Sequence, residues 1–285
     1  GTPCERYPGG YMLTSREAAQ KKVVIVGGVA GGMSAATRLR RLDEHAEIVV
    51  FERSGYVSFA NCGLPYYLGG VIEKRSALLL QTPESLGARF AIDVRVHHEV
   101  TAIDRAAKTV AVRNVATGAT STESYDALVL SPGAAPFVPE IPGRERLLAL
   151  RNIEDTDALD AALGRIEGDD ESERRAVVMG AGFIGLEVAE NLVNRGWDTT
   201  VVELADQVMA PFDPEMAALV QARLEAGGVH VLLGHSVSEV SPSGVALDDG
   251  TRLPASLVIA AIGVRPESKL AVDAGLAVSD RGGII

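Results

Sequence analysis

One pattern occurs twice in this chain and leaves little choice of fold. An apolar run at residues 23–26 is followed by a glycine turn, a helical pattern over residues 33–42, and a second apolar run at 48–51 that ends on Glu52. The same order returns as residues 177–179, a glycine turn, a helical pattern over 186–194, and a run at 200–202 that ends on Glu203. Short apolar runs bounded by turn residues read as buried strands, and strands joined through a helix run parallel. The expected class is α/β, with two nested Rossmann-like dinucleotide-binding domains, parallel sheets and small antiparallel β-meanders. Residues 1–21 read as a flexible tail, 22–150 as the first part of one nucleotide domain, 151–265 as the second, and 266–285 as the start of a return to the first.

The second turn, Gly180-Ala181-Gly182-Phe183-Ile184-Gly185, is a complete G-x-G-x-x-G. In that pattern the first glycine makes the tight turn and the second lets a pyrophosphate approach the backbone. The third lets the helix pack on the strand, and the helix N-terminus then faces the phosphates. Glu203 follows by roughly 20 positions, where an acid accepts from a ribose 2′-hydroxyl. The first turn, Gly27-Gly28-Val29-Ala30-Gly31-Gly32, has Val29 at the middle glycine position. That weakens the fingerprint, and Glu52 restores part of it. Two such units imply two dinucleotides, which suits a flavin relay and a nicotinamide donor.

Between and after the repeats, strands are expected around residues 91–96, 109–112 and 127–130, with turn residues across 114–123. Asp155 is expected to cap a helix running to Ile166, and 167–175 to form a charged loop. Asp213 and Pro214 open a further helix that Gly227 and Gly228 close. Asp249-Gly250 is a hairpin turn, and 257–262 a buried strand.

Cys62 stands between Asn61 and Gly63, shortly after the strand that ends on Glu52. A lone cysteine is more often an inert core residue. Here the turn, the nearby nucleotide unit and a following segment that reads as a helix, whose N-terminus favours a thiolate, point to reactivity. No second cysteine lies four or five positions away, so an internal dithiol pair is excluded. Cys62 must work with an external sulfur or as a sulfenic acid. The other cysteine, Cys4, falls in the tail.

Charge and composition narrow the partners. The net charge of −11 argues against binding a nucleic-acid backbone, which needs a basic face. Two cysteines in 285 residues argue for a reducing, cytoplasmic setting. The apolar run at 23–33 is broken by four glycines and is shorter than the roughly 20 residues a membrane span takes. His97 and His98 are adjacent, but no other ligands converge on them in sequence, so no metal site is expected.

These features resemble the single-cysteine branch of the pyridine nucleotide-disulfide oxidoreductases: coenzyme A disulfide reductases, coenzyme A persulfide or polysulfide reductases, NADH oxidases and NADH peroxidases. The specific pieces are SFANCGLPYY at 58–67, the first turn without its middle glycine, YDALVLSPGA at 125–134, LRNIEDTD at 150–157, and the Ile262-Gly263-Val264-Arg265-Pro266 segment. The resemblance implies FAD in the first unit, held by Gly27, Val29, Ala30, Gly32, Glu52, Arg53 and Ser131. It implies NADH or NADPH in the second, held by Gly180, Gly182, Ile184, Gly185, Glu203 and Gly263. Cys62 would be the catalytic sulfur, cycling through a mixed disulfide with coenzyme A, or through a sulfenic acid in the oxidases and peroxidases. Matching positions in coenzyme A disulfide reductases mark Ser34, Arg38, Arg41, Ser58 and Asn61 as substrate contacts. Arginine pairs suit phosphates, although a solvated basic helix face would look the same. Family members continue into a second flavin-contacting stretch and a C-terminal domain that makes a homodimer. The expectation is therefore a C-terminally truncated chain whose full-length parent is a homodimer.

Overall fold

The computed structural model describes residues 20–167 and 173–285. Most of the expected tail, with Cys4, and the middle of the expected charged loop lie outside the described residues.

The first repeat is β1 (Lys22–Val26), α1 (Ala30–Leu42) and β2 (Glu47–Phe51). The chain passes through the Cys62 turn into α2 (Leu64–Leu68), then α3 (Pro83–Phe90) and β3 (Ile92–Arg95). An antiparallel meander follows: β4 (His98–Asp104), β5 (Thr109–Asn114) and β6 (Thr120–Ser124). Next come β7 (Ala127–Leu130), the short β8 (Ala134–Pro136) and α4 (Ile153–Glu167). The second repeat is β9 (Arg175–Met179), α5 (Phe183–Asn194) and β10 (Asp198–Glu203). It continues with α6 (Pro214–Ala226) and β11 (His230–Leu233). A second meander, β12 (Val237–Ser241), β13 (Gly244–Leu247) and β14 (Arg252–Pro254), leads to β15 (Leu257–Ala260). Finally β16 (Val264–Pro266) pairs antiparallel with β8 and is followed by α7 (Lys269–Asp273).

Both parallel sheets have one plan, β3-β2-β1-β7 and β11-β10-β9-β15. β1 and β9 each bury four consecutive residues, as strands covered on both faces must. One face of each sheet carries helices and the other its meander. Val24, Val49 and Phe51 pack on Val100, Val110 and Val112. Val177, Met179 and Val202 pack on Val237, Val240 and Val245. The strand order reverses beside β1 and β9, which opens a crevice at the carboxyl ends of β1 and β7, and of β9 and β15.

The two units also share a core. Phe59, Leu64, Leu68 and Leu78, around the Cys62 turn, cluster with Leu159, Leu163, Leu192 and Trp197 of the second unit. Arg75 reinforces the junction with two bonds to Asp157 (2.5 and 2.6 Å) and one to the Tyr56 hydroxyl (2.8 Å).

Several local expectations need correction. α1 begins at Ala30 and α5 at Phe183, three residues before the expected starts. Gly31, Gly32 and Gly185, which read as turn residues, lie inside the helices. The cap of α4 is Asn152, whose Oδ1 accepts from Asp155 N–H (2.8 Å); Asp155 sits in the first turn and accepts from Arg151 N–H (3.0 Å). Residues 120–123, expected to be turn, belong to β6, because the Asn114 side chain closes the reversal by accepting from Ala116 and Thr117 N–H. β4 was not expected at all. The final buried strand stops at Ala260, two residues early.

An ionic knot ties the first sheet to its meander. Glu123 of β6 receives Lys22 of β1 (2.5 Å) and Arg95 of β3 (2.6 Å). Burial opposes the Glu123 charge, yet the bonds from Lys22 and Arg95 carry its carboxyl below the usual range. A carboxyl held below its unfolded value stabilises the fold above that value, and the stabilisation is lost as pH falls through the folded one. Glu123→Gln should therefore cost about 2 kcal/mol near neutrality. It should also flatten the acid limb of the Tm-versus-pH curve between about pH 3 and 6. Thermal melts of both proteins across that range check it; parallel acid limbs would remove Glu123 from the acid response.

Candidate functional site

The site is built from glycines that let backbone approach backbone. Gly27 holds φ +100°, and a Cβ there would collide with the Ser131 carbonyl at the end of β7. A Cβ on Gly32 would collide with the Gly27 carbonyl, so the third glycine of the turn brings α1 down onto β1. The second turn repeats this. Gly180 (φ +101°) faces the Ala261 carbonyl just after β15, and Gly185 faces the Gly180 carbonyl.

The middle position behaves differently. Gly182 has φ −82° and nothing within 4 Å of a built Cβ. The described residues of the protein therefore do not need glycine there. Val29 occupies the equivalent place in the first turn, and its side chain packs against the shared core. Its presence leaves the turn geometry intact.

The two acids also repeat. Glu52 Oε2 accepts from Gly28 N–H (2.7 Å) and Oε1 from Ser54 N–H (2.9 Å). Glu203 Oε2 accepts from Ala181 N–H (2.7 Å) and Oε1 from Ala205 N–H (2.8 Å). Each acid thus ties the end of its strand to its glycine turn. A carboxylate has about four acceptor sites, so each keeps about two for a further donor.

A cleft of about 830 Å3 opens over the first turn, within the range of roughly 300–1,000 Å3 usual for cofactor and ligand sites. Gly27, Val29 and Ala30 line it with Glu52, Arg53 and Ser131, and Asn61 and Cys62 form another part of its wall. Cys62 is exposed and is the free cysteine among the described residues. It sits in a 3-10 turn, Asn61–Gly63, that runs directly into α2. Ser58 holds φ +48° and donates its N–H to the Gly28 carbonyl (2.9 Å). A non-glycine residue in that conformation costs roughly 1–2 kcal/mol, so the approach to Cys62 is held in strain by the first turn.

The remaining expected residues fall into separate groups. Ser34, Arg38 and Arg41 are exposed along one face of α1, and neither arginine has a hydrogen-bond or ion-pair partner among the described residues. Arg40, between them, is committed elsewhere: it donates to the carbonyls of Phe90, Glu44 and Ala91. Arg53 reaches into the cleft but is paired with Glu267 (2.6 Å). Ile184 is exposed in the first turn of α5, and Gly263 (φ +114°) lies before β16 with open space around it. His97 is in a left-handed turn before β4, and His98 Nδ1 lies 2.7 Å from the Val96 carbonyl.

Arg151 and Glu267 are among the charged residues of the cleft that sequence reasoning missed. Arg151 also contacts Glu267 (3.3 Å), so Glu267 holds two arginines at the mouth. Burial opposes the Glu267 charge, but Arg53 first and then Arg151 hold its carboxyl below the usual range. The available signal was position: Arg151 lies within the 150–157 motif and Glu267 directly follows Pro266. One further group, His235 with Asp248 and Asp249, brings three potential metal-ligating atoms together at the surface of the second unit. Among the described residues, no helix is long and apolar enough to cross a membrane.

Residues 21–285 match the family model described as pyridine nucleotide-disulphide oxidoreductase. The chain is 36% identical over 262 residues to the coenzyme A disulfide reductase of Staphylococcus haemolyticus, covering 92% of this chain and 58% of that protein. Among solved structures, it superposes on the reduced CoADR-RHD of Bacillus anthracis with TM-score 0.88 and 48% identity, over 92% of this chain and 47% of the other. A NAD-dependent persulfide reductase from A. fulgidus gives TM-score 0.85 and 36% identity, over 92% and 49%. The chain thus spans little more than half the length of the curated relative.

The difference between the glycines of the second turn is directly measurable. Gly180→Ala forces a left-handed alanine into the Ala261 carbonyl and should cost about 1–3 kcal/mol. Gly182→Ala should change stability by less than about 0.5 kcal/mol while weakening dinucleotide binding. Thermal melts and calorimetric titration with NAD+ separate the two effects. A Gly182→Ala protein that binds as tightly as wild type would show that no ligand approaches this position.

Proposed function

We propose, because the chain belongs to the pyridine nucleotide-disulphide oxidoreductase family, that it serves an FAD-dependent reductase passing electrons from NADH through Cys62 to coenzyme A disulfide or a related persulfide. The observation that carries this reading is that an exposed Cys62 opens onto the same cleft as the first glycine turn and Glu52. The residues present fit FAD. Gly27, Val29, Ala30 and Gly32 would set the start of α1 against its pyrophosphate, Glu52 would accept from its ribose, and Arg53 and Ser131 would border it. When bound, FAD supplies a two-electron relay between nicotinamide and sulfur. In the second unit, Gly180, Gly182, Ile184, Gly185 and Glu203 would hold NADH, with Gly263 at the edge.

The net reaction converts one disulfide, NADH and a proton into two thiols and NAD+. Cys62 attacks one sulfur of the disulfide as a thiolate, forms a mixed disulfide with it and expels the other sulfur as a thiolate. The arrival of two electrons breaks the mixed disulfide, frees the second thiol and restores the Cys62 thiolate. Coenzyme A carries phosphates, and Arg38 and Arg41, without partners among the described residues, are the cations of α1 that would meet them. Ser34, Ser58 and Asn61 would complete the contact with substrate.

Cys62→Ser should separate the two halves of this reaction in the flavin-loaded enzyme. A serine hydroxyl cannot attack a disulfide at neutral pH. Bleaching of the flavin by NADH should persist, while disulfide turnover falls by orders of magnitude. Stopped-flow reduction together with a steady-state disulfide assay decides it. Near-normal turnover by the serine enzyme would make Cys62 a structural cysteine.

Donor choice follows from Glu203. Its carboxylate would face and repel a 2′-phosphate, and residues 204–209 contain no Lys or Arg. NADH should therefore exceed NADPH in kcat/KM by about tenfold or more, the repulsion acting against the phosphorylated donor. Steady-state comparison of the two donors tests this, and a preference for NADPH would refute it.

A further inference from the structure

One helix, α5, joins two parts of the site. Its first turn carries Gly185 of the second glycine turn, and its last turn reaches the end of α2, the helix that leads away from Cys62. Two residues one turn apart on α5, Asn191 and Arg195, make that second contact.

Arg195 closes the end of α5. Its Nε and Nη2 grip the two oxygens of Glu167 (2.7 and 2.9 Å), and Nη1 donates to Asp160 Oδ1 (2.9 Å). Trp197 Nε1 adds a bond to Glu167 (2.9 Å). The guanidinium is thus fixed by α4, and in that fixed position Nη1 also donates to the Leu68 carbonyl (2.9 Å). Leu68 is the last residue of α2, and carbonyls at a helix end lack partners within the helix. Asn191 is 2% exposed, and its Nδ2 donates to the Glu187 carbonyl (2.8 Å). Its Oδ1 has no hydrogen-bond partner among the described residues and stands where a Cβ on Gly69 would be. Gly69 has φ −79°, so no backbone strain requires glycine there. The space taken by Asn191 does.

Between Cys62 and these contacts lie only the 3-10 turn and α2, with no loop to absorb a displacement. We infer that Asn191 and Arg195 are positioning residues for Cys62: the nicotinamide-side helix α5, braced by α4, fixes the height and tilt of the helix that carries the thiol turn. The inference rests on the reading of Cys62 as the redox sulfur. It assigns the second unit a task besides holding its dinucleotide.

Three variants probe the contact from both sides. Arg195→Met removes the donors and keeps the stem, Arg195→Lys keeps the charge without the fork, and Gly69→Ala pushes α2 away from Asn191. Glu123→Gln serves as a control that weakens the protein on the far side of the first sheet. Hydrogen exchange read by mass spectrometry should rise by about tenfold or more over residues 61–72 in Arg195→Met and Gly69→Ala. It should rise less in Arg195→Lys and not at all there in the control. In the flavin-loaded enzyme, NADH should reduce the flavin of these variants within about twofold of the wild-type rate. The disulfide half-reaction should slow about tenfold, with partial rescue in Arg195→Lys. Exchange over 61–72 that matches wild type, or that rises no more than in α6 and β11, overturns the inference. Equal slowing of both half-reactions does so too, because it marks a structural brace. Should Arg195→Met not fold, Arg195→Lys and Gly69→Ala carry the same comparison. The exchange result stands whatever chemistry Cys62 performs, so its failure is distinct from normal disulfide turnover by Cys62→Ser, which would defeat the functional reading instead.

Discussion

The close approach of Gly27 to the carbonyl of Ser131 sets the geometry of the cleft. With any side chain at 27, the turn would have to move away from β7. The amide of Gly28 would then lose Glu52, and the start of α1 would lose its place over the strand ends. Gly180 and Ala261 impose the same condition on the second unit, and the acid of that unit takes the same two backbone donors. At the middle position of the turn the two copies differ, and there the protein makes no demand on itself. Gly182 is surrounded by open space, and its counterpart Val29 spends its side chain on the shared core. The strictness of a glycine motif therefore divides into positions enforced by the fold and one enforced by the ligand.

That shared core changes how the two units should be regarded. Apolar side chains from both sides of the Cys62 turn are buried among α4 and α5, and Arg75 and Arg195 bond across the same junction. Both arginines are anchored by carboxylates of α4, Asp157 for one and Asp160 with Glu167 for the other. Ion pairs of this kind contribute little when exposed. These are partly buried, multiply bonded and joined to a backbone carbonyl or the Tyr56 hydroxyl, a setting in which charge-assisted bonds also fix geometry. The thiol segment is thus seated on the second unit as firmly as it is connected to the first.

Much of this was legible in the sequence, and the failures have physical causes. The four strands of the repeats could be read because both faces are covered, which forces uninterrupted apolar runs. Helix starts were misplaced because glycine is a poor helix former, yet close packing demands Gly31, Gly32 and Gly185 inside the first turns. β4 escaped notice because only Val100 of its seven residues is buried, which leaves no alternation to detect. Glu52, Glu203 and Cys62 could be found by spacing within one unit. Arg151 and Glu267 could not, since they lie 116 residues apart and meet only when β16 pairs with β8. Gly69 reads as a breaker after a short helix, and nothing local reveals that Asn191 fills the space above it.

The acids show what holds each glycine turn in place. Glu52 is buried, and water could not easily satisfy it if its amide partners were absent; an unpaired buried carboxylate is costly. Bonds from Gly28 and Ser54 meet that need, and they also hold the turn in place. A ribose hydroxyl can then use the remaining lone pairs without breaking either bond. A dinucleotide held in this way would not have to reorganise the loop, and part of the ordering entropy that weakens affinity would be met by folding. The tie, though not the burial, is the same for Glu203, which is partly buried and accepts from Ala181 and Ala205. It explains why the acid recurs at the end of the strand in both units, although only one of the two turns keeps its middle glycine.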